Sequence, residues 1–136
     1  MIVKFERISD LFGESAKEML NVIKGTNCCH WNSAMVCCKF NIKYCIDYCE
    51  GYMLDDMGHA WNVYTDSNGI KHYFDTTQEC NYAKGLISTF NEELELVEEF
   101  GANEIVEIFN NDGYSHLVSV ETIRGLNRKE GDYPPP

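Results

Sequence analysis

Residues that could perform nucleophilic chemistry occur along this chain in the order thiol, imidazole, carboxylate. Cys28 and Cys29 lie in a polar stretch, residues 27–33, that leads into an apolar helical pattern. A thiol at a helix N-terminus ionises readily because free backbone amides stabilise negative charge there, and the thiolate is the reactive form. His59 and Asp75 follow in two β-rich segments. This order predicts that a cysteine is the nucleophile, His59 is the base and the Asp75 carboxylate orients the base.

Each of these residues also has an ordinary structural interpretation. Most free cysteines are small buried hydrophobic residues, and Cys29 could be one of them. His59 could be a strand residue whose ring is bonded locally, in which case His30 is the next candidate for a base. Asp75 precedes two threonines and could simply close a turn.

The distance between His59 and Asp75 depends on the loop that joins their strands. Asn68-Gly69 in that loop is a strong hairpin signal. A two-residue turn there would pair Asp75 with Asn62, which is three residues from His59. A four-residue loop would pair Asp75 with Ala60, next to His59. A catalytic pair therefore requires the longer loop or a bulge.

Hydrophobic periodicity and turn signals predict the elements that must position these residues. We predict helices at 14–24, from 28 or 29 to about 40, and at 91–100, strands at 43–53, 59–65, 70–74, 104–109 and 114–121, and an irregular crossing at 76–88. One face of the second helix is expected to be core, and it carries Trp31, Ala34, Met35 and Cys38. Helices followed by a mostly antiparallel sheet indicate the α+β class.

Length and charge limit the classes of protein to consider. The 136 residues suit one domain, which we place at residues 1–126. Residues 127–136 are charged and end in three prolines, so a mobile tail is expected there. The net charge of −11 repels phosphate backbones and anionic lipids, so neither nucleic acid nor a membrane surface is an expected partner.

The seven cysteines suggest free thiols in a reducing, cytoplasmic compartment. Their number is odd, and the charged residues 1–10 do not look like a secretory leader. A zinc site is the rival interpretation of these thiols, but no Cys-x-x-Cys pair occurs. We therefore predict neither a metal nor another cofactor. No apolar run approaches the roughly 20 residues needed to span a bilayer.

Four short blocks of this sequence resemble small transglutaminase-like proteins of bacteria and phages. The blocks are Cys-His-Trp-Asn-Ser at 29–33, Glu-Gly-Tyr at 50–52, His-Ala-Trp at 59–61 and Tyr-Phe-Asp-Thr-Thr at 73–77. The resemblance covers about residues 26–80, with a fainter echo at 82–94. It implies a papain/transglutaminase-like fold, with Cys29 as nucleophile, His59 as base and Asp75 as orienter. This chain has His30 where the family usually has an aromatic residue, and Thr76 where it has proline.

Further residues are candidates for supporting the site. Asn32 lies three residues past Cys29 on the same helical face, which favours Cys29 over Cys28 as nucleophile. It could tie down the loop that carries the base or help to bind an oxyanion with the Cys29 amide, but a plain supporting role behind the site is favoured over both. The others are interpreted either as walls of a cleft or as plain core and strand positions: Trp61, Glu50 and Tyr52.

These features predict a thiol-dependent hydrolase or acyltransferase that acts on an amide or ester carbonyl, of the peptidase, deamidase or transglutaminase type. The substrate would be a protein or an amine-bearing small molecule, and either water or an amine would accept the acyl group. The alternative is a binding module that keeps the fold without the chemistry and blocks or modulates a protein partner. If the chain is phage-encoded, it would act in the host cytoplasm. The sequence makes no prediction of the oligomeric state.

Overall fold

Five strands and five helices form within residues 1–23, 28–54 and 58–112, which this computed structural model describes, with the backbone alone at 108–112. In chain order they are β1 (Ile2–Lys4), α1 (Ile8–Phe12), α2 (Ser15–Asn21), α3 (Cys29–Phe40), β2 (Ile46–Tyr52), β3 (Gly58–Thr65), β4 (Lys71–Phe74), α4 (Thr76–Ala83), β5 (Glu93–Phe100) and α5 (Ala102–Asp112). The α+β class is confirmed. The predicted strand at 114–121 and the predicted tail at 127–136 lie outside the described residues.

The strands form a single antiparallel sheet that curls until its edges meet. The strand order is β1-β5-β2-β3-β4, and every neighbouring pair is antiparallel. Beyond β1, Phe5 forms a parallel bridge with Tyr73 of β4, and the Glu6 amide donates to the Tyr73 carbonyl at 2.8 Å. The concave side of the sheet buries one apolar cluster, which includes Phe5, Trp61 and Leu94.

The outer face of β2 and β3 packs against α3, whose predicted extent is confirmed. The buried side of α3 differs from the predicted core face. Of the four residues predicted to lie on that face, only Ala34 is buried, and Trp31, Met35 and Cys38 are half-buried. The buried positions of α3 combine apolar residues such as Val36 and Cys37 with the polar residues His30, Asn32 and Ser33, and side chains of neighbouring strands bond to the helix. Asn62 of β3, for example, donates to the Ser33 carbonyl of α3 at 2.9 Å and to the Asp47 carbonyl of β2 at 3.1 Å.

The β3–β4 connection is longer than a two-residue turn. Thr65 pairs with Lys71, so five residues lie between the paired ends. The Asp66 carboxylate explains the length, because its Oδ1 accepts from the amides of Asn68 and Ile70 at 2.9 and 3.0 Å and holds the loop open. Continued past Phe74, this register puts Asp75 opposite Trp61, two residues from His59 and on the same face of the sheet.

Several predicted elements are wrong. The helix predicted at 91–100 is strand β5, because the alternation Glu-Leu-Glu-Leu at 93–96 pairs with both β1 and β2. The strand predicted at 104–109 belongs to α5, whose first amide, that of Ala102, donates to the Asp47 side chain at 3.0 Å. The crossing at 76–88 contains α4, and the helix predicted at 14–24 is shorter, Ser15–Asn21, and is preceded by α1.

Candidate functional site

The structure brings Cys29, His59 and Asp75 together from three separate elements. Cys29 is the first residue of α3, His59 is the second residue of β3, and Asp75 lies between β4 and α4. His59 Nε2 lies 2.6 Å from Asp75 Oδ2. The site is nearly closed to solvent, since the exposed fractions are 6% for Cys29, 7% for His59 and 0% for Asp75.

The surroundings of the Cys29 thiol favour its ionised form. Burial raises the pKa of Cys29. The charges of His30 and His59, together with hydrogen bonds from the His59 ring and the Ala60 backbone, lower it by more than burial raises it. The pKa of the thiol therefore falls from 9.0 to about 7. Because His59 Nε2 is bonded to Asp75, Nδ1 is the ring nitrogen left for the thiol. The position of Cys29 in the first turn of a twelve-residue helix adds the favourable field of the helix N-terminus.

The His59 imidazole is correspondingly favoured as a cation. Burial lowers the pKa of His59, but the charges of Asp75 and Cys29 and the hydrogen bonds to both raise it well above its usual value of 6.5. A lowered thiol pKa beside a raised imidazole pKa describes a coupled pair that shares one proton. Near neutral pH the pair is therefore disposed to exist as thiolate and imidazolium.

Asp75 is held by more than His59. It is the N-cap of α4, where its Oδ1 accepts from the Gln78 amide at 3.0 Å and its Oδ2 accepts from Gln78 Nε2 at 2.9 Å. The carbonyl oxygen of the Gln78 side chain in turn accepts from the Asn91 amide at 2.8 Å. Sequence reasoning missed Gln78, although Asp-x-x-Gln is the spacing of a capping box and would have indicated α4 as well.

Asn32 links α3, the helix that begins at Cys29, to α4, the helix that Asp75 caps. Its Nδ2 donates to Thr77 Oγ1 at 3.1 Å, and both side chains are buried. This contact is a supporting one, and it holds α4 and not the loop before His59. Through Thr77, Asn32 fixes the start of α4 relative to Cys29.

Trp61 forms a wall behind the His59 ring. The two ring centroids lie 6.0 Å apart, and Trp61 also packs edge-on against Phe5 at 5.3 Å inside the curled sheet. Gly51 of β2 makes room for this arrangement, because a Cβ there would lie 2.4 Å from the Trp61 ring and 2.0 Å from the Glu95 carbonyl oxygen. Trp61 is thus both core and a wall of the site.

The remaining two candidates, Glu50 and Tyr52, lie near the site but are buried. Glu50 is fully covered and accepts a hydrogen bond from the Tyr48 hydroxyl, whose oxygen is 3.0 Å from His30 Nδ1. Tyr52 ends β2, opposite Gly58 in β3, and is 6% exposed. Neither side chain lines an open cleft, and sequence reasoning did not reveal the contact of Glu50 with His30.

Three of the other thiols, Cys37, Cys38 and Cys49, have surroundings that disfavour ionisation. All seven cysteines are free. Burial raises the pKa of Cys37 and of Cys49 well above 9.0 and that of Cys38 to about 11.

Across the described ranges, no group of three His, Cys, Asp or Glu side chains is arranged to hold a metal ion. Nor does any helix in the same ranges have the length and apolar character to cross a membrane.

Comparison with protein-family models, with curated protein sequences and with solved structures found no match to this chain. A thiol with a pKa of about 7, an imidazole in hydrogen-bond contact with it and a buried carboxylate behind that imidazole can attack an electrophilic carbon and return a proton to a leaving group.

Proposed function

We propose that this protein is a thiol-dependent hydrolase or acyltransferase that acts on an amide or ester carbonyl. Cys29 is the nucleophile, His59 is the general base and acid, and Asp75 orients the imidazole. The observation that supports this assignment most strongly is the continuous hydrogen-bonded chain from the Cys29 thiol through His59 to Asp75. Residues far apart in sequence would not be expected to align in this order at a helix N-terminus by packing alone.

The chemical steps follow from the positions of the protons. The Cys29 thiolate attacks the carbonyl carbon, a C–S bond forms, and the carbonyl electrons move onto oxygen. The amide of Cys29, at the start of α3, stabilises this oxyanion. As the tetrahedral intermediate collapses, the leaving amine or alcohol takes the proton of the His59 imidazolium, and a thioester remains on Cys29.

The second half of the reaction releases the acyl group. Water or an amine gives a proton to His59 and attacks the thioester, and Cys29 leaves as thiolate. Asp75 accepts the Nε2–H of His59 throughout, which keeps Nδ1 directed at the reacting atoms. Water as acceptor gives hydrolysis or deamidation, and an amine gives transfer.

The order of the elements supports the transglutaminase-like interpretation of the four sequence blocks. A helix begins at the thiol, the next two strands after β2 carry the imidazole and lead to the carboxylate, and the sheet is antiparallel. On this proposal the fold is papain/transglutaminase-like, the substrate is a protein or an amine-bearing small molecule, and the protein acts in the cytoplasm. The net charge of −11 favours a basic substrate weakly.

An activated ester tests the proposal without knowledge of the natural substrate. The protein is mixed with p-nitrophenyl acetate, nitrophenolate release is followed, and the quenched protein is digested to locate the acetyl group. We expect a burst of nitrophenolate and one acetyl group on Cys29. Cys29→Ser and His59→Ala should abolish the burst, whereas Cys28→Ser, the matched control one residue away, should retain it.

Addition of a primary amine to the same assay separates the two acyl acceptors. Faster turnover with formation of the acetylated amine would identify a transferase, and turnover unaffected by the amine would identify a hydrolase. No adduct on Cys29 and equal rates in all three variants would contradict the proposal. The low exposure of Cys29 would then favour the second candidate, a binding module that blocks a protein partner.

A further inference from the structure

The side-chain amide of Gln78 lies behind the Asp75 carboxylate, and the mechanism above gives it no role. Gln78 is the third residue of α4 and is 3% exposed. Its Nε2 donates to Asp75 Oδ2 at 2.9 Å, and the same oxygen lies 2.6 Å from His59 Nε2. One carboxylate oxygen is therefore shared by the imidazole and by this amide.

The backbone of Asn91 fixes which end of the Gln78 amide faces Asp75. The Asn91 backbone nitrogen can only donate, and it lies 2.8 Å from Gln78 Oε1. The Asn91 carbonyl can only accept, and it takes one hydrogen of Gln78 Nε2 at 3.1 Å. The second hydrogen of Nε2 is left for Asp75. If the amide turned over, donors would face donors and acceptors would face acceptors at both partners, so this orientation is fixed.

Gln78 thereby holds both oxygens of the Asp75 carboxylate. Its backbone amide donates to Oδ1 at 3.0 Å, and its side chain donates to Oδ2. Asp75 is 0% exposed, so bulk water does not replace a lost donor there. Rotation of a carboxylate about its Cβ–Cγ bond meets only a low barrier. Without the bond from Nε2, Oδ2 would be held by His59 alone, and the carboxylate would be free to turn together with the ring.

We propose that Gln78 is a positioning residue of the thiol site, which holds the Asp75 carboxylate in the orientation that keeps His59 Nδ1 directed at Cys29. This inference rests on the proposed function. The His59 ring has to return to one orientation after each proton transfer, and a misplacement of about 1 Å can cost about 10²-fold in rate. Gln78 acts through Asp75, and the Asn91 backbone keeps Gln78 in place.

Two substitutions that keep the length of the Gln78 side chain test this role. Gln78→Met has no hydrogen to give to Asp75 at any pH, whereas the carboxyl group in Gln78→Glu can give one only when it is protonated. The rate at which p-nitrophenyl acetate acetylates Cys29 is measured for wild type and both variants between about pH 5 and about pH 8. Urea denaturation shows which variants are folded. Lys84→Met, at the exposed C-terminal end of the same helix, is the matched control.

We expect Gln78→Met to acetylate Cys29 about 10- to 10²-fold more slowly than wild type, by the same factor at every pH. In Gln78→Glu the loss should be as large at about pH 8, where two carboxylates face each other. It should become smaller as the pH falls, because the introduced carboxyl group takes up a proton and can again donate to Asp75. Lys84→Met should keep the wild-type rate. A role in packing alone would produce no such recovery in acid.

A wild-type rate in folded Gln78→Met would overturn the inference, and so would a loss in Gln78→Glu that does not change with pH. If Gln78→Met does not fold, Gln78→Glu still decides the question, since it keeps the oxygen that accepts from the Asn91 amide.

Failure of this inference is distinguishable from failure of the proposed function. Wild-type protein that forms the acetyl adduct on Cys29, at a rate that depends on His59 but not on Gln78, would contradict only the role of Gln78. Wild-type protein in which Cys29 forms no adduct would contradict both.

Discussion

Asp75 serves two structures at once, the His59 imidazole and the N-terminus of α4. Its Oδ2 bonds the ring, while its Oδ1 caps the helix through the Gln78 amide. The ring bond requires a carboxylate, which accepts from Nε2–H and stabilises the imidazolium. The cap requires only an oxygen, which an amide side chain also provides.

Asp75→Asn should therefore separate catalysis from folding. Asparagine keeps the cap but cannot stabilise the His59 cation, so we expect ester acylation to slow by about 10²- to 10⁴-fold, while the free energy of unfolding changes by about 1 kcal/mol. Acylation kinetics and urea denaturation measure the two effects. Asp66→Asn is the matched control, because Asp66 bonds the surface histidine His72 at 2.9 Å and should leave the rate unchanged. A wild-type rate in Asp75→Asn would show that the carboxylate serves the helix alone.

The sequence singled out three residues that the structure brings together, but not the groups that hold them. Cys29, His59 and Asp75 could be identified because their chemistry needs particular residue types at a helix start and at strand ends. Gln78 and Tyr48 were missed because glutamine and tyrosine suit many environments, and their role appears only when the fold supplies a partner. For the same reason Glu50 was interpreted only as a cleft wall or a plain strand position, and its buried contacts with Tyr48 and His30 were not predicted.

At the scale of elements, a bulge between β2 and β5 lets the sheet close around Trp61. The pairing of these strands shifts between Glu50 and Gly51, where Val97 is skipped. Bulges increase local twist, and the missing side chain of Gly51 lets the Trp61 ring and the β5 backbone approach β2. The Glu-Gly-Tyr block thus supports the wall behind His59.

Gly51→Ala should be strongly destabilising. Its methyl group would lie 2.0 Å from a backbone oxygen that cannot move without breaking the β2–β5 pairing, so we expect a loss of about 1–3 kcal/mol or more. Gly101→Ala is the matched control, since a Cβ there meets nothing within 4 Å, and it should stay within about 0.5 kcal/mol of wild type. Urea denaturation compares the two. Equal stabilities would mean that β5 does not approach β2 as closely as described.

Glu79 of α4 connects the stability of α1 to pH. Its Oε2 accepts from the Ile8 amide, the first of α1, at 2.9 Å. Burial is the largest effect on the pKa of Glu79 and raises it, as do the nearby charges of Asp75 and Asp10. The hydrogen bond from Ile8 and the charge of Arg7 lower it. The pKa of Glu79 is therefore about 7, against 4.5 for an ordinary glutamate. Between these values the folded protein binds a proton that the unfolded chain has lost, so stability should fall as pH rises and level off above the higher value.

Glu79→Gln tests this connection, because glutamine cannot titrate but can still accept from Ile8. We expect the free energy of unfolding of wild type to fall, relative to Glu79→Gln, between about pH 5 and about pH 8. Urea denaturation of both proteins across that interval is the measurement. A constant difference between the two proteins would contradict the raised pKa of Glu79.

Element prediction succeeded where local pattern and tertiary contacts agreed and failed where they did not. Helix α3 was predicted correctly because its boundaries have local signals. In β5, the spacing of Leu94 and Val97 fits a helix, whereas the spacing of Leu94 and Leu96 fits a strand. The segment is a strand because its backbone pairs with both β1 and β2. The loop before β4 had to be longer than two residues, and the bonding of the Asp66 side chain makes it so.

At the scale of the whole molecule, an excess of negative charge opposes folding. The chain has 22 acidic and 11 basic residues, giving a net charge of −11 at pH 7. Repulsion of this kind is stronger in the compact state than in the unfolded chain, and dissolved salt screens it over about 10 Å at 0.1 M. The curled sheet therefore folds against a long-range repulsion that salt should relieve.

We expect the thermal unfolding midpoint at about pH 8 to rise as sodium chloride is added, because screening removes more repulsion from the folded state. Near the sequence pI of about 4.6 the same addition should have little effect. Calorimetry at several salt concentrations measures both series. A midpoint that falls with salt at about pH 8 would show that favourable ion pairs outweigh the net repulsion.

In the proposed mechanism the position of Cys29, and not its exposure, makes it the reactive thiol. Cys29 is 6% exposed, whereas Cys45 is exposed and Cys28 and Cys38 are half-buried. The most direct test is to treat the folded protein at about pH 6 with less than one equivalent of iodoacetamide and to map the adduct. We expect the label on Cys29 in wild type and the loss of this preference in His59→Ala. Labelling that follows exposure, with Cys45 first and Cys29 among the last, would contradict it.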